Sequence, residues 1–98
     1  MAQTRSVTKT RTELKYPSRY QVVIFNDDQT PMDFVITLLV ELFNKNVNEA
    51  QALTMQIHEQ GKAVAGIYNR EVAEQKVLEG TTFSRNSGYP LKLSLEVI

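Results

Sequence analysis

The sequence contains no cysteine and a single histidine among its 98 residues. The absence of cysteine excludes disulfides, thiolate nucleophiles and sulfur-ligated zinc, which is typical of proteins from a reducing compartment. No run reaches the roughly 18 consecutive apolar residues of a membrane span, and the N-terminus has no apolar secretory segment. We therefore expect a cytoplasmic protein.

Net charge is also lacking, because 11 basic and 11 acidic side chains cancel. Residues 1–19 hold five basic side chains and one acidic one, which leaves six basic and ten acidic side chains in the remainder. An acidic body disfavours nucleic acid as a partner and suits a cationic ligand better. With 42% hydrophobic residues, a chain of this length can form one modest core.

The first 18 residues are rich in Thr, Ser, Arg and Lys and show no apolar periodicity. Such a segment buries too little surface to offset the entropy of ordering, so we expect residues 1–18 to be a flexible extension. A short organelle transit peptide and a tail without a role are the alternatives. Residues 19–98 are expected to form the folded core domain.

The run Tyr20–Phe25 is aromatic and β-branched, which predicts a strand. A helix is expected to follow, because Thr30 is placed to cap it and Pro31 suits its first turn. Apolar residues at spacings of three and four continue this helix to about Phe43.

Asn46, with Glu49 three residues later, predicts the start of a second helix that ends at Gly61. Residues 62–68 read as a second strand. Asn69 is placed to cap a third helix, which Gly80 weakens late.

Residues 91–97 alternate apolar and polar side chains, the pattern of a half-buried strand. The predicted order is therefore β-α-α-β-α-β. This order predicts an α+β two-layer sandwich, with three helices on one face of a small antiparallel three-stranded sheet. The order of the strands within the sheet does not follow from the pattern.

Three polar residues, Asn26, Asp27 and Asp28, lie between the first strand and the first helix. They supply an amide carbonyl and two carboxylates, which favour a cation. In an extended strand end Asn26 and Asp28 share a face and Asp27 takes the other, so we expect Asn26 and Asp28 to converge on a ligand. The alternative is a turn in which these side chains bond their own backbone.

His58 lies near the end of the second helix, and a lone histidine is often structural. As a neutral imidazole it offers an acceptor, so Asn26, Asp28 and His58 together match the three N–H donors of an ammonium group. Asp28 would supply the charge that a desolvated cation requires. Apolar residues flank this cluster and form either a pocket or ordinary core: Ile24, Met32, Val35 and Ile57.

Four short motifs occur together within residues 20–96, namely Asn-Asp-Asp, Thr-Pro-Met, His-x-x-Gly and Glu-Val-Ala-Glu. Their joint spacing closely resembles the ClpS family of bacterial adaptors. The resemblance implies a non-enzymatic protein without a cofactor, which binds N-degrons, proteins whose first residue is Leu, Phe, Tyr or Trp. Such adaptors deliver these proteins to ClpA or a related Clp unfoldase, and their N-terminal extension serves in the handover.

The resemblance also implies roles for individual residues. Asn26, Asp28 and His58 match the contacts to the α-amino group, and Asp27 matches a position near the backbone that follows. Glu71 and Lys76 match positions that dock the unfoldase's N-terminal domain. The positions that match the side-chain pocket are Ile24, Thr30, Met32, Val35, Thr54, Ile57 and Leu91.

Thr54 is a departure from the family pattern, which usually has methionine at this position as a gatekeeper at the pocket mouth. Threonine is shorter, is β-branched and carries a hydroxyl that needs a partner. We therefore expect a changed shape and polarity at the pocket rim and an altered ranking of bulky first residues.

Two other classes of protein fit parts of the sequence pattern. Asp27, Asp28 and His58 could form a metal-bound hydrolytic site, although no second histidine or recognised nucleophile accompanies them. A protein-interaction module without N-terminus recognition, such as a ribosome-associated domain, is the other alternative. We expect a monomer that binds peptides and an unfoldase, and neither nucleic acid nor membrane.

Overall fold

The computed structural model describes residues 19–98. The expected flexible extension, residues 1–18, lies outside the described residues. The chain forms three strands and three helices in the predicted order β-α-α-β-α-β. They are β1 (Tyr20–Phe25), α1 (Met32–Phe43), α2 (Val47–Gln60), β2 (Lys62–Tyr68), α3 (Arg70–Asn86) and β3 (Lys92–Val97).

The sheet has the strand order β2-β1-β3, so the first strand is central and both its neighbours are antiparallel to it. Ile24 of β1 pairs with Ala63 on one side and with Leu93 on the other. A bulge interrupts the pairing of β1 with β2 between Val22 and Val23. The predicted fold class is thereby confirmed.

One hydrophobic core lies between the sheet and the helices. Val22 and Ile24 of the central strand are fully buried, as are Leu38 and Leu39 of α1. Strand residues whose side chains alternate with these point away from the helices. The rest of the buried cluster comes from all three helices, the two edge strands and the residue before β3: Val35, Phe43, Ala50, Ile57, Ala63, Ala65, Ala73, Leu91 and Leu93.

Helix ends follow the predicted capping in most places. Asn46 and Glu49 form a reciprocal capping box at the start of α2, and Gly61 ends that helix with a left-handed φ of 92°. The side chain of Asn69 accepts a hydrogen bond from the backbone N–H of Val72 at the start of α3. These local signals fix where the second and third helices begin.

The predicted cap of the first helix is wrong. The residue at the N-cap of α1 is Pro31, and no side chain caps this end. The hydroxyl of Thr30 instead donates to Asp27, which draws it back into the preceding loop. The helix therefore begins at Met32, one residue later than a threonine cap implies.

The third helix continues past Gly80 to Asn86. Gly80 is buried, and a Cβ at this position would meet the side chain of Leu93 on β3. The glycine therefore serves close packing of α3 on the sheet, and the helix does not end there. Within residues 19–98, no helix is both long and apolar enough to cross a membrane.

Candidate functional site

The loop between β1 and α1 is organised by the carboxylate of Asp27. One oxygen accepts the backbone N–H groups of Gln29 and Thr30 at 2.8 and 2.7 Å, and the other accepts the Thr30 hydroxyl at 2.8 Å. This is the turn in which an aspartate bonds the backbone that follows it. The alternative interpretation of the polar cluster thus applies to Asp27, whose contact to a ligand stays a prediction.

The same contacts change the acidity of Asp27. Burial alone would raise its pKa, but the Thr30 hydroxyl, the backbone N–H groups of Gln29 and Thr30, and the charge of Arg85 outweigh burial and lower the pKa. A lowered pKa in the folded state favours the ionised carboxylate. Its contribution to stability is therefore present above the ordinary carboxyl pKa and is lost as pH falls through the lowered value.

A backbone hydrogen bond brings the loop to the end of α2. The N–H of Asn26 donates to the carbonyl of Gly61 at 2.9 Å, directly beyond the pairing of Phe25 with Lys62. Gly61 lies three residues after His58, and its own N–H donates to the carbonyl of Ile57. The polar loop and the last turn of α2 are therefore neighbours, although they are about 30 residues apart in sequence.

Asn26, Asp28 and His58 are all exposed, whereas Asp27 is half-buried. Across residues 19–98, no hydrogen bond joins the side chains of Asn26, Asp28 or His58 to another residue. Their acceptors are therefore free for a ligand. The convergence of Asn26, Asp28 and His58 on one ligand stays a prediction.

The apolar residues predicted to form a pocket lie in the core below this cluster. Ile24, Val35, Ile57 and Leu91 belong to the single buried cluster and are at most 4% exposed. Thr30 is half-buried in the loop. Met32 is 39% exposed at the start of α1, so it is the predicted pocket residue with most freedom to move.

The sequence predicts Thr54 at the exposed rim of the pocket, but the structure places its side chain in the buried interior. It is 2% exposed, and its hydroxyl has no hydrogen-bond partner among the described residues. The reason is its place on α2, where it shares the buried side of the helix with Ala50 and Ile57. The predicted change in polarity therefore lies in the buried interior of the proposed site and not at its rim.

Arg85 is a positioning residue that the sequence reasoning missed. Its guanidinium donates to the carbonyls of Tyr89 and Leu91 at 3.1 and 2.8 Å, and its positive charge helps to lower the pKa of Asp27. One side chain thus ties the segment that carries Leu91 to α3. A basic residue in the last turn of a helix, just before a Gly-Tyr-Pro segment, is the signal that could have indicated it.

Replacing Arg85 by methionine should loosen the segment that carries Leu91. The change keeps an unbranched side chain but removes two hydrogen bonds, so we expect a loss of about 1 kcal/mol in unfolding free energy. Amide hydrogen exchange should become faster at Tyr89 and Leu91. Arg70→Met removes an exposed ion pair to Glu74 and should leave that segment unchanged; equal effects of the two variants would contradict the positioning role.

The two residues predicted to dock an unfoldase differ in their surroundings. Glu71 is exposed in the first turn of α3. The ammonium of Lys76 donates to the carbonyl of Leu42 at 2.6 Å and lies 6.0 Å from the centre of the Phe43 ring. Lys76 therefore satisfies the C-terminal end of α1 in addition to any contact with a partner.

The structure also has a surface groove of about 270 Å³. Its lining comes mainly from the sheet face that points away from the helices, and it includes none of the predicted site residues: Gln21, Val23, Gln56, Gln60, Lys62, Ala63, Val64 and Glu96. In the part of the chain that the structure describes, no group of three His, Cys, Asp or Glu side chains is placed to hold a metal ion. Asp27, Asp28 and His58 are therefore not grouped as metal ligands in this structure.

Free acceptors beside an apolar core, carried on a small α+β domain, are the features of a peptide-binding module. The family model of the ATP-dependent Clp protease adaptor protein ClpS matches residues 15–94. The chain belongs to the ClpS family, whose members are adaptors of the Clp protease.

Curated relatives with the name ATP-dependent Clp protease adapter protein ClpS support this assignment. The protein of Xanthomonas oryzae pv. oryzae is 44% identical over 90 residues, which cover 92% of this chain and 85% of the relative. The protein of Deinococcus radiodurans is 41% identical over 95 residues, which cover 97% and 84% of the two chains.

A solved structure of Agrobacterium tumefaciens ClpS2 bound to L-phenylalaninamide has the same fold. Its TM-score is 0.81 at 32% sequence identity, and the match covers 85% of this chain and all of that chain. Together with the family assignment, this match agrees with the predicted α+β fold.

Proposed function

We propose that this protein captures other proteins by their free α-amino group and bulky hydrophobic first residue, and delivers them to a Clp unfoldase for degradation. The adaptor itself performs no chemistry in this proposal. The observation that carries it is a set of three exposed acceptors on two segments that a backbone hydrogen bond holds together, namely Asn26, Asp28 and His58. Within residues 19–98, none of these three side chains has a hydrogen-bond partner.

The polar half of the proposed site suits an ammonium group. Each of its three N–H donors has one acceptor in the proposed site: the amide carbonyl of Asn26, the carboxylate of Asp28 and an imidazole nitrogen of His58. Asp28 supplies the single negative charge that balances the cation. Asp27 shapes the loop that presents these groups, since its carboxylate already accepts three hydrogen bonds.

The apolar half suits a large first side chain. Four residues of the proposed pocket lie in one buried cluster: Ile24, Val35, Ile57 and Leu91. Met32 is exposed at the start of α1 and is proposed to adapt to the bound side chain. Burial of one large apolar side chain contributes about 1.5 to 3 kcal/mol. The relative from Agrobacterium tumefaciens binds L-phenylalaninamide, which combines a free amino group with a benzyl side chain.

The partner surface is proposed to lie on α3, with Glu71 and Lys76 contacting the N-terminal domain of a ClpA-type unfoldase. Because Glu71 is exposed, Glu71→Gln is the cleaner test of this contact. A loss of binding in Lys76→Met would be ambiguous, because the variant also removes the hydrogen bond to Leu42.

Peptide binding should depend on pH through the α-amino group that the site is proposed to hold. Affinity should fall above about pH 8, as the α-amino group of the peptide loses its proton. Fluorescence anisotropy with a peptide that begins with Phe measures this dependence. Affinity that stays constant as pH rises from about 7 to 9 would contradict recognition of an ammonium group.

Delivery is tested with a reconstituted Clp unfoldase and protease. A fluorescent reporter that begins with Phe should be degraded faster when this protein is added, and a reporter with Met placed before the Phe should not. Equal effects on both reporters would instead favour an interaction module without N-terminus recognition.

A further inference from the structure

Thr54 carries a buried hydroxyl without a hydrogen-bond partner. The residue is 2% exposed, and its Oγ1 is the unpaired buried side-chain oxygen within residues 19–98. A hydroxyl within a helix usually has a local solution, a bond to the carbonyl four residues earlier. Thr37 and Ser84 both adopt it, bonding the carbonyls of Asp33 and Gly80 at 3.0 and 2.7 Å.

The place of Thr54 on α2 relates it to both halves of the proposed site. Residues three and four apart on a helix are neighbours on its surface, so Thr54 adjoins buried Ile57 and exposed His58. Four residues correspond to about 6 Å along the axis. A phenol side chain spans a similar length from its Cα to its oxygen.

We propose that Thr54 determines specificity by accepting or donating a hydrogen bond at the end of the bound first side chain, which favours tyrosine over phenylalanine. This inference rests on the proposed function and specifies its substrate class. A phenylalanine leaves the Thr54 hydroxyl unpaired, as it is in the free protein. A tyrosine satisfies that hydroxyl and buries its own phenol oxygen with a partner.

The variant that isolates the hydroxyl is Thr54→Val, which keeps the β-branched shape. We expect the ratio of tyrosine to phenylalanine affinity to fall about three- to tenfold, mainly through weaker binding of tyrosine. Thr54→Ser keeps the hydroxyl and should keep most of the ratio. Thr54→Val should remain folded, because removal of an unpaired buried hydroxyl should raise the midpoint of thermal unfolding by several degrees.

The matched control is Thr37→Val, which removes the hydroxyl of an exposed threonine on α1. Its tyrosine-to-phenylalanine ratio should equal that of the wild type. Two peptides that differ only in Tyr or Phe at the first position are titrated against each variant by fluorescence anisotropy, each in a free and an N-acetylated form.

The outcomes separate the inference from the function on which it rests. If both free peptides bind, both acetylated peptides fail, and Thr54→Val keeps the wild-type ratio, the role of Thr54 is wrong and the proposed function stands. If acetylation has no effect on binding, the proposed function fails and the inference fails with it. The inference is supported if the tyrosine-to-phenylalanine affinity ratio falls in Thr54→Val but stays near the wild-type value in Thr54→Ser and Thr37→Val.

Discussion

Replacing Asp28 by alanine should weaken binding of a peptide with a free N-terminal Phe by about 2 to 5 kcal/mol, at least about thirtyfold in affinity. Asp28 is the exposed carboxylate of the proposed ammonium site, and no hydrogen bond within the described residues occupies it. Its removal leaves an ammonium without a counter-charge, which isothermal titration calorimetry would detect directly.

The control for this change is Asp33→Ala, which removes an equally exposed carboxylate from the first turn of α1. Because the same net charge is lost, general attraction between an acidic protein and a cationic peptide predicts equal effects. We expect the control to stay within about fivefold of the wild type, as is usual for surface charges. Losses of similar size in both variants would refute a specific ammonium contact at Asp28.

The largest effect on stability is expected from Leu38→Ala. Leu38 is fully buried where α1 packs on the sheet, and truncation of such a leucine costs about 2 to 5 kcal/mol through lost burial and the cavity left behind. For a domain of this size, that loss lowers the unfolding midpoint by roughly 10 °C or more. Urea unfolding followed by circular dichroism measures the change.

Leu78→Ala serves as the matched control, because Leu78 is 60% exposed on α3. This variant should change the unfolding free energy by no more than about 0.5 kcal/mol. A loss of unfolding free energy as large as that of Leu38→Ala would contradict the difference in burial between Leu38 and Leu78.

Much of the fold could be predicted because its signals are local. The aromatic and β-branched run Tyr20–Phe25 is a strand, and the apolar stripe that follows is a helix to Phe43. Caps at Asn46 and Asn69 fixed the starts of two more helices, since a capping side chain bonds backbone groups only a few residues away. The resemblance to the ClpS family then indicated the function, which the residue types alone left open.

Other features could not be predicted, and some of them depend on residues distant in sequence. The strand order β2-β1-β3 and the continuation of α3 past Gly80 depend on packing against β3, where Leu93 approaches the bare glycine backbone. The pattern predicts Thr30 as a cap, but its hydroxyl has a competing partner three residues earlier, Asp27, and the sequence does not decide between the two. The burial of Thr54 follows from tertiary packing. The hydrogen bond from Arg85 to Leu91 depends on the path of the loop between α3 and β3.

Capture of a free amino terminus can be measured with two peptides that begin with Phe and differ only by N-acetylation. Acetylation removes the positive charge and two of the three N–H donors while the side chain remains. We expect the wild-type protein to bind the free peptide at least about thirtyfold more tightly, as measured by fluorescence anisotropy. Equal affinity for the two peptides would rule out capture through the amino group.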